Sequence, residues 1–371
     1  MTNVPVTRVE SVRERVPEYD SARIVSIACV VLIHVIAQYV TPDVRNVGVN
    51  RLIMFISREL RFAVPMFAML TGALIWTRSP GQSREWAAFF SRRFMVVLVP
   101  YLVWSAIFVS VGVYLGVKPL GSLTRVVQDL LLGTTWYHLY FVPIIAGIYL
   151  FAPLAQAVYR RSAVGLVVVA CLVGMVTPTV LARVELHPET AFKLVSLVTS
   201  YLPYAAFGAW YASLRQDGSR VVVRVWPMLL AAGFGFRAWV ILGDLSRIPV
   251  YLSALANLMG YLLPSLGVLG LAVVVSERWP KLGSRVAPWA PCVFGVYLAH
   301  PLVLLVIERT MRAVGASPTA SISLMAAVWL VTTVGCFVAV RLVSKVGWLW
   351  WLHGVPRRSA SISDQMARHL S

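Results

Sequence analysis

The chain has 371 residues, of which 59% are hydrophobic and 13% charged, with a mean hydropathy of +0.77; ordinary soluble domains hold about 45–50% apolar and about 25% charged residues. A water-soluble fold of this composition lacks the polar side chains to cover its own surface. The net charge of +18, from 33 basic and 15 acidic residues, punctuates apolar segments and forms no stripe with interleaved aromatics, which argues against nucleic acid as a partner and for basic loops on an anionic leaflet, with a phosphorylated substrate as a second cause.

The first 20 residues are polar and charged, and no small-residue cleavage site follows the first apolar run, so that run is expected to stay as an anchor. Apolar windows then predict an all-α, polytopic membrane protein of about ten spans, near 23–40, 58–76, 94–115, 137–155, 163–181, 196–213, 225–242, 251–275, 290–308 and 319–343. The expected organisation is an N-terminal arm over 1–22, one transmembrane domain over 23–343 and a basic tail over 344–371.

Ionisable residues inside such spans are costly, so each is a functional candidate. In the first span Arg23 and His34 stand eleven residues apart. On a helix that spacing is three turns plus about 20°, and a rise of about 16–17 Å. Both side chains therefore project from one face. A boundary guanidinium can hold phosphate bidentately, and an imidazole can take a proton from a hydroxyl at neutral pH. A snorkelling arginine with a hydrogen-bonded core histidine explains the spacing equally well.

The second span opens with Ser57-Arg58-Glu59-Leu60-Arg61 and continues through Pro65 to Thr71-Gly72. Arg58 and Arg61 are three apart and share a helical face, with Glu59 to the side, and Pro65 can bend the helix toward a cavity. A structural ion-pair network and substrate contact both fit this segment. The fourth span begins Thr134-Thr135-Trp136-Tyr137-His138; interfacial aromatics explain most of it, while His138 can hydrogen-bond a sugar or an amide. Near the ninth span, Phe294-Gly295-Val296-Tyr297-Leu298-Ala299-His300-Pro301 brings another imidazole, for which packing is the plainer role. Past the last span Trp348, Trp350 and Trp351 precede Arg357 and Arg358, which reads as an interfacial anchor.

Cys29, Cys171, Cys292 and Cys336 fall in separate apolar runs without metal-ligand spacing, so no metal and no disulfide framework is expected. The arm (Arg8, Arg13, Arg15), the loops with Arg78, Arg92 and Arg93, Arg160 and Arg161, Arg215 to Arg224, Arg278 to Arg285, and the tail place roughly 20 of the 33 basic residues on one face. That face is expected to be cytoplasmic, with both termini on it. Arg45, Arg51, Arg58 and Arg61 crowd the opposite side and need a local explanation. Phosphate-loop, nucleophile-elbow, HExxH and CxxC patterns are absent, so direct transfer assisted by a histidine base is the leaner chemistry.

Together these segments resemble the acyltransferase type 3 family of bacterial inner-membrane O-acyltransferases. Arg23 and His34 look like its Arg-x10-His signature, and Arg61 through Gly72 resemble its arginine-led VPxFFxxSG segment. Arg92-Arg93-Phe94 with Pro100 and Trp104, Trp136 through Tyr149, and Phe294 through Pro301 are similar to three further stretches, in order, from about 19 to 340. Ala68 and Thr71 stand where the family more often has phenylalanine and serine, and Val96 and Val97 where a further basic residue is common.

The resemblance implies no bound cofactor, with acetyl-CoA or another acyl-CoA as co-substrate and donor. It implies as acceptor a sugar hydroxyl on a glycolipid, polysaccharide or glycoside. His34 becomes the base or a transient acyl carrier, Arg23 and Arg93 donor-binding, and Arg58, Arg61, Trp136 and His138 acceptor-binding, with Glu59, Thr71, Tyr297 and His300 as further candidates. Membrane lipid is the surrounding partner, and a homo-oligomer is left open. A transporter or flippase for a polysaccharide or lipid-linked sugar is the rival, since ten Pro- and Gly-interrupted spans suit it; it predicts flux without consumption of acyl-CoA. A scaffold gives no reason for a mid-membrane histidine.

Overall fold

The computed structural model describes residues 16–39, 47–77, 83–117, 121–181, 189–242, 250–315 and 321–354. Arg8, Arg13, Arg15, Arg45, Arg78, Arg357 and Arg358 lie outside them. The described residues form α-helices and turns, with no strand among them: α1 (Pro17–Tyr39), α2 (Val47–Glu59), α3 (Ala63–Ile75), α4 (Ser83–Arg93), α5 (Val99–Tyr114), α6 (Leu123–Leu132), α7 (Phe141–Leu150), α8 (Ala152–Tyr159), α9 (Ala163–Leu181), α10 (Glu189–Thr199), α11 (Leu202–Gln216), α12 (Val221–Leu242), α13 (Val250–Arg278), α14 (Pro280–Val286), α15 (Val293–Ala313), α16 (Ile322–Val343) and α17 (Trp350–His353).

Seven helical stretches are long and apolar enough to cross a membrane, and an eighth is added if α7 and α8, bent by 54° at Phe151, count as one span. The protein is a multi-pass membrane protein, but two of the ten expected spans take another form. The second is broken by a 3-10 turn at Leu60–Phe62, which leaves α3 with 13 residues; the sixth is broken near Tyr201 and Pro203, which leaves α11 with 15. A hydropathy window responds to burial in protein as it does to burial in lipid. Most of α3 and α11 is buried among other helices, so neither must match the bilayer thickness.

These two helices cross closely at the centre. A Cβ on Gly72 would stand 1.9 Å from the Ala205 carbonyl oxygen, and one on Gly208 would stand 1.9 Å from that of Met69. Backbone thus meets backbone, the small-residue contact by which helices associate where no hydrophobic drive separates protein from lipid. Helix α1 packs against α3, α13, α15 and α16, and the Trp329 indole of α16 donates to the Ala28 carbonyl, 2.8 Å away.

Two local irregularities shape the interior. Between α4 and α5 a π-helical stretch, Phe94–Leu98, follows directly on Arg93; the extra residue per turn rotates the helix locally, a feature frequent at functional sites. The start of the tail is also part of the fold. The Trp104 indole donates to the Leu352 carbonyl at 2.8 Å, and Gly354 closes α17 at φ +65°, lying against the Val96 carbonyl and Phe294. Of the tail tryptophans expected to form an interfacial anchor, Trp348 is exposed, while residues up to Gly354 fold back onto the helices.

Candidate active site

Three adjoining cavities run through the protein. The first, about 480 Å³, is lined by Asp20, Arg23, Thr71, Arg93, Tyr149 and Arg215 among others. Arg23 comes from the second turn of α1 and donates to Asp20 at 3.1 Å. The Arg93 guanidinium lies over the rings of Phe89 and Tyr149, at 5.5 and 5.3 Å. Arg215, at the end of α11, is paired with buried Glu18 at 2.5 Å. Three guanidiniums thus face this mouth against two carboxylates, a charge balance that suits a bound phosphate.

The second cavity, about 290 Å³, shares Arg23, Thr71, Arg93 and Tyr149 with the first and extends past Val96 and Val97 of the π stretch to Phe141 and Tyr297. Gly354 lines it too, so the folded-back tail is one of its walls. The Thr71 hydroxyl donates to the Phe67 carbonyl at 2.8 Å, a bond that leaves the oxygen able to accept from a guest.

The third cavity, about 450 Å³, begins at the same Phe141 and Tyr297 and is lined by His34, Arg61, His138, Tyr201, Tyr204 and Tyr261 among others. Here the three histidines meet. The ring centroids of His34 and His300 are 5.3 Å apart and nearly parallel; His138 is 5.2 Å from His300 and 5.2 Å from Tyr297, and Tyr137 lies 4.7 Å from His34. His300 Nδ1 lies 3.1 Å from the Val296 carbonyl. A carbonyl accepts only, so that contact keeps a proton on Nδ1 and leaves Nε2, which has no protein partner, as an acceptor.

Local folding explains how His138 arrives there. Ser122 caps α6, whose C-terminal Gly133 takes φ +69°. The Thr134 hydroxyl then donates to Asp129 at 2.6 Å, Thr135 to Ser105 at 3.2 Å, and Tyr101 to the Leu130 carbonyl at 2.6 Å. This bracing holds the Thr134–Tyr140 turn against α5 and points His138 into the interior, where it is 1% exposed. Its backbone carbonyl accepts from the Tyr297 hydroxyl.

The eleven-residue spacing in α1 thus places Arg23 and His34 on cavities that adjoin through Phe141 and Tyr297. Arg93, Thr71, Tyr297, His138 and Arg61 line the same series, and His300 stacks on His34 from behind. Arg58 departs from the expected pairing with Arg61. Arg61, in the tighter 3-10 turn Leu60–Phe62, reaches the third cavity, while Arg58 is exposed on the last turn of α2 and lines none of the three. Trp136 also stands apart, stacked on Phe108 at 5.1 Å; it supports the wall behind His138, which meets the same ring at 5.2 Å. Glu59 is buried with neither oxygen hydrogen-bonded, and Arg237 of α12 is the cation acting on it.

Arg215, Tyr201, Tyr204 and Tyr261 escaped the sequence reading. The only local signal was tyrosine recurring at 201 and 204 beside Pro203 at a helix start; Arg215 looked like one more loop cation.

The chain belongs to the acyltransferase type 3 family: that family's acyltransferase domain matches residues 16–341. No curated protein and no solved structure matches the chain.

Proposed function

We propose that this acyltransferase moves an acyl group, acetyl in the simplest case, from acyl-CoA to a hydroxyl of a sugar-bearing acceptor, with His34 as general base. The observation that carries the reading is the series of adjoining cavities from the three-arginine mouth to the histidine cluster, the last two sharing Phe141 and Tyr297 as wall. The donor's phosphates sit among Arg23, Arg93 and Arg215, and its pantetheine arm threads the second cavity so that the thioester passes Tyr297. The acceptor occupies the third cavity among Arg61 and the tyrosines.

His34 takes the proton of the acceptor hydroxyl as its oxygen attacks the thioester carbonyl. The tetrahedral intermediate collapses, the C–S bond breaks, and the imidazolium returns the proton to the departing thiolate, so that free CoA and an ester leave. His300, with its proton kept on Nδ1, stacks on His34 and fixes the orientation of that ring. The membrane is the bacterial cytoplasmic membrane with both termini cytoplasmic, which turns the arginine mouth toward cytoplasmic acyl-CoA.

Thiol release from acetyl-CoA in vesicles tests this. General-base assistance contributes about 10²–10⁴ in rate, so His34→Ala should lose at least two orders of magnitude in kcat while the protein still inserts. A charge-assisted hydrogen bond contributes about 1.5–3 kcal/mol, so Arg23→Ala should raise the donor KM about 10- to 150-fold. Undiminished thiol release from His34→Ala would remove the histidine from the chemistry.

A further inference from the structure

The cavity of the histidines holds one charge that its own wall does not balance. Arg61 lines it, and no aspartate, glutamate or lysine does. Apart from the imidazoles, the polar wall is hydroxyl, from five tyrosines and Ser200. Hydroxyls can turn a dipole toward a cation but carry no charge, and a guanidinium cannot shed its own. Among the described residues no carboxylate stands within ion-pair distance of Arg61.

The carboxylate closest in sequence serves another cation. Glu59, at the end of α2, is 7% exposed, and Arg237 of α12 is the cation acting on it. Arg237 is buried as well, its guanidinium over the Tyr261 ring at 4.3 Å and donating to Asn257 Oδ1 at 3.2 Å. A buried cation stripped of its counter-charge is strongly destabilising. Glu59 is therefore committed to Arg237, and Arg61 keeps its full charge. That charge acts on His34 and Tyr140, so it is felt where the reacting hydroxyl lies.

Any molecule that fills this cavity strips water from Arg61, and desolvating an unpaired charge is costly unless the guest brings the opposite one. From this imbalance we infer that the acceptor is anionic: a carboxylate or phosphate on it binds the Arg61 guanidinium while the hydroxyl to be acylated lies at His34. The planar fork of arginine suits either oxyanion bidentately, and the tyrosine hydroxyls take the acceptor's neutral oxygens. One of the arginines crowded after the first span thereby gains a use. The inference rests on the transferase reading for the word acceptor, but binding of an anion at Arg61 can be measured without any transfer.

The test is calorimetric titration of the full-length protein in lipid nanodiscs, with CoA at saturation so that the arginine mouth is occupied. The probes are methyl glucuronide, glucose 6-phosphate and methyl glucoside. At least one of the two anions should bind about 10- to 150-fold more tightly than the glucoside, the range of one charge-assisted hydrogen bond. Preference for the glucuronide assigns a carboxylate, and preference for the phosphate ester assigns a phosphate. Arg61→Gln should erase the preference with CoA affinity and melting temperature unchanged, and Arg61→Lys should keep part of it. Lys193→Gln, in an exposed pair with Glu189, should leave it intact. Equal binding of all three probes, binding of neither anion, or a preference that survives Arg61→Gln overturns the inference. Thiol release from acetyl-CoA is recorded in parallel: if an anion binds through Arg61 and no thiol appears, the transferase reading fails while the anion site stands.

Discussion

Replacing Gly72 by alanine puts one methyl group where α3 and α11 cross. That carbon would lie 1.9 Å from the Ala205 carbonyl oxygen and 2.5 Å from its carbon, where ordinary contact begins at 3.4 Å. The obstacle is backbone and no side chain can swing aside, so the helices must part by about 1.5 Å to restore van der Waals separation. Overpacking of this kind costs about 1–3 kcal/mol. The effect on function is expected to exceed the effect on stability. Helix α3 carries Thr71 and Phe67 on the donor side and Val64 and Pro65 on the histidine side, and α11 carries Tyr204. Displacing reacting groups by about 1 Å can cost about 10²-fold in rate.

The protein's 13 tryptophans give a fluorescence melting curve in detergent, to be read beside thiol release. Gly72→Ala should melt several degrees lower and lose about two orders of magnitude in turnover. Gly208→Ala should behave alike, and the double variant should cost less than the two losses together, because one separation relieves both clashes. Gly335→Ala on α16, where a Cβ meets nothing within 4 Å, should be neutral or stabilising by up to about 1 kcal/mol. Parent-like melting and turnover in Gly72→Ala would refute the close crossing as the device that sets the cavity walls.

Other outcomes follow from the same geometry. Gly354→Ala forces a left-handed residue to carry a Cβ 2.4 Å from the Val96 carbonyl oxygen, so α17 should lift from the second cavity and the donor KM should rise with little change in kcat; steady-state kinetics at varied acetyl-CoA checks this. Arg93→Lys loses the planar group that lies over Phe89 and Tyr149, and calorimetric titration with CoA should show binding about tenfold weaker at unchanged melting temperature. Tyr297→Phe loses the hydroxyl that donates to the His138 carbonyl and leaves that buried acceptor without this donor, an expected loss of about 1–3 kcal/mol in stability, measured by thermal melting.

How much of this was legible in the sequence depended on distance along the chain. The Arg23 and His34 relation could be read because one helix without a breaker carries both, and its period alone fixes which face they share. The meeting of His34 with His138 and His300 could not, since three elements separated by more than a hundred residues produce it and no local pattern encodes their packing. The aromatic segment at 134–141 concealed the bracing of Asp129, Thr134 and Tyr101 that aims His138. Span counting is least informative at α3 and α11 for the opposite reason: their composition is right for lipid, but Gly72, Pro203 and Gly208 serve close contacts inside the protein. Arg58 and Arg61 were grouped by assuming a continuous α-helix, but Arg61 belongs to the 3-10 turn Leu60–Phe62 and it alone of the two lines the cavity.

The position of the bound donor decides the mechanism most directly. A cryo-electron microscopy structure of the full-length protein with a non-cleavable thioether analogue of acetyl-CoA should show the phosphates among Arg23, Arg93 and Arg215, the arm running between Thr71 and Val97, and the sulfur past Tyr297 within reach of His34. A nucleotide bound elsewhere, or a thioether halted on the arginine side of Phe141 and Tyr297 with those rings unmoved, would contradict it.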